Sequence, residues 1–171
     1  MPRFTAFLRG VSPMNAKMPE LKAAFESAGF ANVRTVLASG NVVFDSERTD
    51  EREIERLAEE AMMRALGRSF YTVVRSCAHL ADVLATDWYA THGIPPEAKR
   101  VITFMRESPV PRVPLPLTEA FASVFLVQGR EAFSAYRPSG EGPVFMRLIE
   151  QAFGKDVTTR TMDTVARCAR A

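Results

Sequence analysis

Hydrophobic positions follow two different spacings at the start of this chain. Phe4 to Leu8 is a nearly continuous apolar run, which is typical of a strand covered on both faces. Between Met18 and Ala28 the apolar residues recur at helical spacing, and Gly29 supplies a stop signal. The pattern therefore predicts a strand followed by a helix.

The segment from Val33 to Asp45 reads as two strands joined by a turn at Ser39-Gly40-Asn41, because glycine and asparagine tolerate the positive φ of tight turns. An amphipathic helical pattern then runs from Ile54 to Leu66, and Phe70 to Val74 forms a further strand. Ser76 can cap the helix that follows. The first half thus predicts the order β-α-β-β-α-β.

The second half suggests a similar order of elements, although its sequence does not visibly repeat the first. The predicted elements are, in order, a strand at Val101 to Met105, an extended stretch with prolines between Pro109 and Pro116, a short helix near Leu117 to Ala122, a hairpin around Gly129, a helix at Phe145 to Phe153, a strand at Asp156 to Thr159 and a helix at Thr161 to Arg170.

Together these elements predict an α+β protein. We expect two tandem ferredoxin-like βαββαβ units with antiparallel sheets, a linker helix between them and a C-terminal helix. The expected boundaries are residues 1–75 for the first half, 76–98 for the linker and 99–171 for the second half, all within one compact structural domain.

Composition narrows the class of protein. A hydrophobic content of 47% fits a globular chain, and a net charge of only +2 gives no signature of a nucleic-acid binder. Cys77 and Cys168 have no CxxC partner, and His79 and His92 have no HExxH spacing, so we predict no metal site and no cofactor. Neither a signal peptide nor a membrane span is evident, and we expect a cytoplasmic protein.

Several motifs carry a resemblance to a known family. They are Phe7-Leu8-Arg9-Gly10-Val11, Met18-Pro19-Glu20-Leu21, Gly29-Phe30, Asn32-Val33-Arg34-Thr35, Ser39-Gly40-Asn41-Val42-Val43-Phe44, Val74-Arg75-Ser76, Lys99-Arg100-Val101, Phe153-Gly154-Lys155 and Thr158-Thr159-Arg160. The chain resembles the domain-of-unknown-function family numbered 1697 over nearly its whole length. The resemblance implies the fold and a bacterial cytoplasmic setting, and no established activity.

This sequence departs from the family pattern in two segments. Similar proteins continue the opening with glycines and an asparagine near a lysine, where this chain has Ser12-Pro13-Met14-Asn15-Ala16-Lys17. They end with an asparagine-tryptophan-asparagine-threonine run, where this chain has Thr161-Met162-Asp163-Thr164. A ligand held by those segments in relatives would be held differently here.

The strongest candidate site follows the first strand. Arg9 ends the apolar run, and Gly10, Asn15 and Lys17 lie in the loop that leads to a helix N-terminus, where backbone N–H groups favour anions. The alternative is that Arg9 pairs with a carboxylate and the loop is a plain connector.

Other polar residues complete the candidate list. Ser39 and Asn41 can orient a small ligand, although turn geometry alone also explains them. The remaining candidates are Arg34, Arg75, Thr159 and Arg160, and the last two lie beside a helix start that Thr161 or Asp163 can cap. Glu59 and Glu60 lie on the polar face of an amphipathic helix, where solvation is the expected role.

Function remains open between three classes. The preferred interpretation is a cytoplasmic binding module for a small anionic ligand; single-stranded nucleic acid is less favoured, because Asn41-Val42-Val43-Phe44 lacks the signature of RNA-recognition sheets. The alternatives are an interaction or structural protein that uses Pro109 to Pro116, and an enzyme of unrecognised type that uses Arg9, Ser39 and Asn41. No general base is evident, so no catalytic residue is assigned, and the oligomeric state is left open.

Overall fold

The protein is a mixed α+β structure with two antiparallel sheets and flanking helices. The computed structural model describes residues 1–37, 40–138 and 144–171. Contacts divide the chain into two compact units. The first contains Met1–Ala85 together with Asp163–Ala171, and the second contains Thr86–Met162.

The first unit follows the predicted order of elements. Its elements are β1 (Arg3–Leu8), α1 (Met18–Ser27), β2 (Ala31–Thr35), β3 (Asn41–Asp45), α2 (Glu51–Leu66), β4 (Thr72–Ser76) and α3 (Cys77–Leu84). Its sheet has the strand order β2-β3-β1-β4, and each pairing is antiparallel. The hairpin predicted between Val33 and Asp45 is confirmed by the pairing of β2 with β3, although Ser39 lies outside the described residues.

The core of the first unit forms where one face of this sheet meets α1 and α2. Side chains alternate along β1, so Phe4, Ala6 and Leu8 enter the core with residues of both helices. Phe44 of β3 packs at 4.4 Å from Phe30 and at 5.5 Å from Phe25, measured between ring centroids. These stacked and tilted rings hold the hairpin against the helices.

The ends of α2 show why the sequence encodes this helix so clearly. The Asp50 side chain accepts a hydrogen bond of 3.0 Å from Arg52 N at the start of the helix. Gly67 ends it in a left-handed conformation with φ of 73°, which a glycine adopts without steric cost.

The second unit contains the remaining strands. Its elements are α4 (Trp88–Thr91), β5 (Lys99–Phe104), β6 (Leu117–Glu119), β7 (Ala122–Gln128), β8 (Glu131–Tyr136), α5 (Val144–Phe153) and β9 (Thr158–Thr161), after which α6 (Met162–Arg170) begins. The sheet order is β6-β7-β8-β5-β9. From Asp163 onward α6 belongs to the first unit, as does α3, whereas the sequence assigned α6 to the second half and α3 to a linker.

The short helix predicted near Leu117 to Ala122 is wrong. Strand β6 occupies Leu117–Glu119 and pairs with β7, with Thr118 opposite Ser123. The hydroxyl oxygens of Thr118 and Ser123 lie 2.9 Å apart, so the two side chains pair across the strands. The described residues between β5 and β7 therefore contain a strand where a ferredoxin-like unit has its first helix.

The helices that the structure describes are short or polar. None of them combines the length and the apolar character that crossing a membrane requires.

Candidate anion-binding site

The loop after β1 begins where three parts of the first sheet meet. Leu8 N donates to Gly40 O at 2.9 Å, and Arg9 N donates to Tyr71 O at 2.9 Å. The start of the loop is thereby fixed between the β2–β3 hairpin and the segment that enters β4. Arg9 is half-buried at this point, and Gly10 beyond it is exposed with φ of 83°.

Asn15 holds the loop in its own shape. Its Oδ1 accepts a hydrogen bond of 2.9 Å from Ser12 N, and its Nδ2 donates one of 2.8 Å to Gly10 O. Ala16 N adds a bond of 3.1 Å to Ser12 O. Because each end of the Asn15 amide makes a bond inside the loop, this residue holds the loop in position.

Helix α1 begins directly after this loop without a side-chain cap. Its N-cap residue is Lys17, which is extended and exposed, and Pro19 lies in the first turn. The first bond of the helix runs from Leu21 N to Lys17 O at 3.0 Å. The N–H groups of Met18 and Glu20 precede that bond, so they lie at the positive end of the helix dipole.

Charge at this end of the unit is mixed but favours an anion. Arg9 and Lys17 bring two positive charges to the loop, and Glu20 in the first turn of α1 brings one exposed negative charge. Backbone N–H groups at a helix start are good donors to a phosphate or carboxylate.

The hairpin end lies against the same loop. A Cβ added at Gly40 would come within 3.0 Å of Val11 Cβ and 3.2 Å of Leu8 Cβ, so Gly40 lies directly against the chain that leaves β1. Asn41 is fully buried, and its Nδ2 donates to Val36 O at 3.0 Å. Asn41 therefore helps to close the hairpin, while Ser39 lies outside the described residues.

Arg34 and Arg75 lie elsewhere on the sheet. Strand register places Arg34 opposite Val43, Val43 opposite Thr5, and Thr5 opposite Arg75, in one row across four strands. Three strand spacings separate the two arginines, which is about 14 Å between their backbones. Arg34 is exposed, whereas Arg75 is fully buried and donates to Val74 O at 3.0 Å.

Thr159 and Arg160 belong to β9 of the second unit. The Thr159 hydroxyl lies 3.2 Å from that of Thr103 on β5, and Arg160 Nη1 donates to Thr159 O at 2.9 Å. The structure thus brings together Arg9, Gly10, Asn15 and Lys17, with Asn41 at the adjoining hairpin. Arg34 and Arg75 lie on strands β2 and β4, away from that loop.

The sequence missed a pocket in the second unit. It has a volume of about 210 Å³, and its lining includes Thr118, Phe121, Ser123 and Arg137. The sequence could not predict this pocket while it predicted a helix near Leu117, because a helix would not place Thr118 and Ser123 side by side. No regular alternation or Asn-Gly turn marks this hairpin in the sequence, because Thr118 and Glu119 are adjacent polar residues and Ala120-Phe121 forms the turn.

The model of the family described as "Protein of unknown function (DUF1697)" matches residues 1–133. The chain belongs to this family. The match contains the whole candidate loop and β1 to β7, so the resemblance read from the motifs is confirmed. Membership assigns no activity, because the family is described only as one of unknown function.

A solved structure shares the fold of this DUF1697 protein. The conserved bacterial protein SP0830 from Streptococcus pneumoniae superposes with a TM-score of 0.72 at 14% sequence identity, covering 99% of this chain and 97% of that one. At that identity the similarity establishes the fold alone. Comparison with curated proteins finds no match.

Proposed function

We propose that the protein is a binding module for a small anionic ligand, held between the start of α1 and the Arg9 side chain. The observation that carries this proposal is the N-terminus of α1, which lacks a side-chain cap and has Lys17 as its N-cap residue. An anion bound there takes the place of the missing cap.

Each residue of the loop has a separate role in this proposal. Lys17 and Arg9 supply the charge, and the backbone N–H groups at the start of α1 supply directional donors. Asn15 keeps these groups in place through its bonds to Ser12 and Gly10. Binding to a loop that is already ordered costs less conformational entropy than binding to a flexible one.

Nucleic acid is a weaker candidate partner for the first sheet. Sheets that recognise RNA display aromatic side chains on which bases stack. The aromatic residue of β3 is Phe44, which is fully buried against Phe25 and Phe30. It is therefore committed to the core, and the favoured ligand is a small anion.

The proposal is tested by titrating the protein with inorganic phosphate, pyrophosphate, citrate and AMP while amide NMR signals are followed. We expect shifts at Gly10, Lys17 and Met18, and at least a tenfold loss of affinity in Arg9→Gln and Lys17→Gln, since a charge-assisted hydrogen bond contributes about 1.5–3 kcal/mol. Lys22→Gln is the matched control, because Lys22 is an exposed lysine further along the same helix. Equal affinity in all three variants would refute the proposal.

The proline segment favours a second candidate function, a protein-interaction role. Val110 is 88% exposed within it, an unusual position for a large apolar side chain. Arg112 N donates to Ala152 O at 2.9 Å, so the segment is attached to the end of α5 close to that valine.

Cross-linking in the cells of origin, followed by mass spectrometry, tests this role. A partner that is lost with Val110→Asp and kept with Val110→Leu would support it. Identical cross-links in both variants would count against it, because only the first substitution removes the apolar character of the side chain.

We also propose that the two units are ferredoxin-like, the second in a modified form. The first unit has the β-α-β-β-α-β order with both helices on one face. In the second, β5, β7, β8, α5 and β9 follow the same order, with β6 in place of the first helix. Amide NOEs and chemical shifts typical of a strand at Leu117–Glu119 would support this assignment, and a helical pattern there would contradict it.

For the cellular setting we propose the bacterial cytoplasm. The support is indirect: Cys77 and Cys168 are both buried thiols, and SP0830, which shares the fold, is a bacterial protein. Fractionation of the source cells tests this assignment, and recovery of the protein from an extracytoplasmic fraction would overturn it.

A further inference from the structure

The pocket of the second unit has a floor built by two adjacent strand pairs. Register places Thr118 of β6 opposite Ser123 of β7, and Ser123 opposite Ala135 of β8. All three residues line the pocket, and Ile94 and Pro95 from the segment after α4 add apolar lining. The floor thus combines two hydroxyl groups with small and aliphatic side chains.

The rim of the pocket is formed by a strained turn. Glu119 is paired with Ala122, so Ala120 and Phe121 alone connect β6 to β7. Ala120 adopts φ of 51°, in the left-handed region where glycine or asparagine is usual. This turn leaves the Phe121 side chain 51% exposed at the pocket, although burial would stabilise it by roughly 1.5–3 kcal/mol.

A single charged residue lines the pocket among the residues that the structure describes. It is Arg137, whose backbone N donates to Phe121 O at 2.8 Å and is thereby fixed to the rim. Its guanidinium group pairs with Glu97 at 3.2 Å. The two side chains are 51% and 65% exposed, so this ion pair contributes little and another carboxylate can replace Glu97.

Size restricts the ligand further. The pocket volume of about 210 Å³ exceeds the roughly 150 Å³ of an engineered apolar cavity that accepts benzene. It is also smaller than pockets for drug-sized molecules, which occupy about 300–1,000 Å³. One aromatic ring with a short substituent therefore fits.

From this geometry we propose that the pocket binds a small aromatic monocarboxylate. The ring lies against Phe121 and Pro95, and the carboxylate replaces Glu97 on the Arg137 guanidinium group. Arginine and carboxylate can form two parallel hydrogen bonds, which gives the anion both orientation and affinity. This site lies in the second unit and is independent of the loop at the start of α1.

Benzoate is the probe for this proposal, with benzyl alcohol and acetate as controls that lack the charge or the ring. Amide NMR spectra of the full chain are recorded during titration. We expect benzoate to shift the signals of Ala122, Ser123 and Arg137, and both controls to bind at least about tenfold more weakly, as expected when either part of the contact is lost.

Substitutions separate this site from others. Arg137→Gln should weaken benzoate about tenfold, whereas Glu97→Gln, which removes the competing carboxylate, should strengthen it about two- to fivefold. Arg48→Gln is the matched control, because Arg48 is also a half-exposed arginine paired with a glutamate, in the first unit. Circular dichroism verifies that each variant is folded.

Three results would overturn the proposal. They are the absence of shifts at the pocket amides, equal binding of acetate and benzoate, and equal loss of affinity in Arg137→Gln and Arg48→Gln. Shifts at Ala122, Ser123 and Arg137 report on this pocket, whereas shifts at Gly10, Lys17 and Met18 report on the anion site at α1, so failure of either site gives a different result.

Discussion

The Glu55 carboxylate accepts a hydrogen bond of 2.9 Å from the backbone N–H of Val74, on the outer edge of the first sheet. One helical turn later Glu59 accepts from Thr72 N at 3.2 Å. Residues four apart on a helix are separated by about 6 Å, and strand residues two apart by about 6.7 Å, so the two spacings match. Helix α2 thereby satisfies edge donors of β4 that would otherwise be open to pairing with another strand.

Glu55→Ala should therefore destabilise the protein. Glu55 is buried, and truncating it leaves the Val74 N–H without this acceptor, which costs about 1–3 kcal/mol in the free energy of unfolding. Urea denaturation followed by circular dichroism measures the change. Glu60→Ala is the control, because Glu60 is half-exposed on the same helix and pairs with Arg56. We expect a change of less than about 0.5 kcal/mol there, and equal effects of both substitutions would contradict this explanation.

The contacts of Glu55 and Glu59 with β4 show how much of the fold can be predicted from the sequence. Apolar periodicity and Gly67 predict α2 correctly, because both signals are local. The role predicted for Glu59 was solvation, and helical spacing cannot show that an edge strand runs beside that face. The error at Leu117 to Ala122 has a similar origin, because pairing with β7 overrides the weak local preference of a short segment.

The candidate site also contains some residues whose proximity the sequence predicts and others whose positions depend on tertiary structure. Arg9, Gly10, Asn15 and Lys17 come together because they are neighbours in one loop. The separation of Arg34 from Arg75 depends on strand register, which the sequence does not reveal without knowledge of the strand order. The internal bonds of Asn15 also needed the structure, since an asparagine can serve equally as a ligand or as a brace.

Two glycines with similar backbone angles should respond differently to alanine. Gly40 has φ of 85°, and an added Cβ would lie 3.0 Å from Val11 Cβ. Gly67 has φ of 73° and no atom within 4 Å of such a Cβ. Gly67→Ala should therefore cost about 1 kcal/mol from the backbone angle alone, and Gly40→Ala more than about 2 kcal/mol, because overpacking adds to that angle. Thermal and urea unfolding measure the difference; an equal cost at both positions would show that Val11 and Leu8 move aside freely.

Tyr89 should make stability fall in alkaline solution. Its hydroxyl donates to Val101 O at 2.7 Å, and burial raises the pKa of the phenol above its ordinary value of 10.0. Since the folded pKa exceeds the unfolded one, the neutral phenol stabilises the fold below pH 10.0, and this contribution declines as the pH rises toward the folded pKa.

Comparison with Tyr89→Phe isolates this effect. The variant should lose about 1 kcal/mol near neutral pH with the hydrogen bond, and its unfolding free energy should decline less steeply above pH 10.0. Tyr136→Phe serves as the control, because Tyr136 is only partly buried. Parallel pH profiles for the wild type and Tyr89→Phe would rule out a contribution of Tyr89 to alkaline unfolding.

Asp45 should have the opposite effect, in acid. Asn32 Nδ2 donates to its Oδ2 at 2.7 Å and Arg3 Nη1 to its Oδ1 at 2.8 Å, and these bonds hold the pKa of the carboxyl below the ordinary 3.8. The folded pKa is then lower than the unfolded one, so the ionised carboxylate stabilises the fold above pH 3.8 and this contribution disappears as the pH falls through the folded pKa. Asp45→Asn should consequently be less stable than the wild type near neutral pH. The difference between their free energies of unfolding should become smaller in acid.

Urea unfolding at about pH 7 and at about pH 2.5 tests this behaviour. Asp82→Asn is the matched control, since it removes an exposed carboxylate from α3. Arg3 keeps its bond of 2.8 Å from Nε to Ala171 O in the Asp45→Asn variant, so the strand end stays attached and the experiment reports on the carboxylate. A stability gap between the wild type and Asp45→Asn that is equally large at both pH values would mean that packing at this position, and not its charge, stabilises the pairing of β1 with β3.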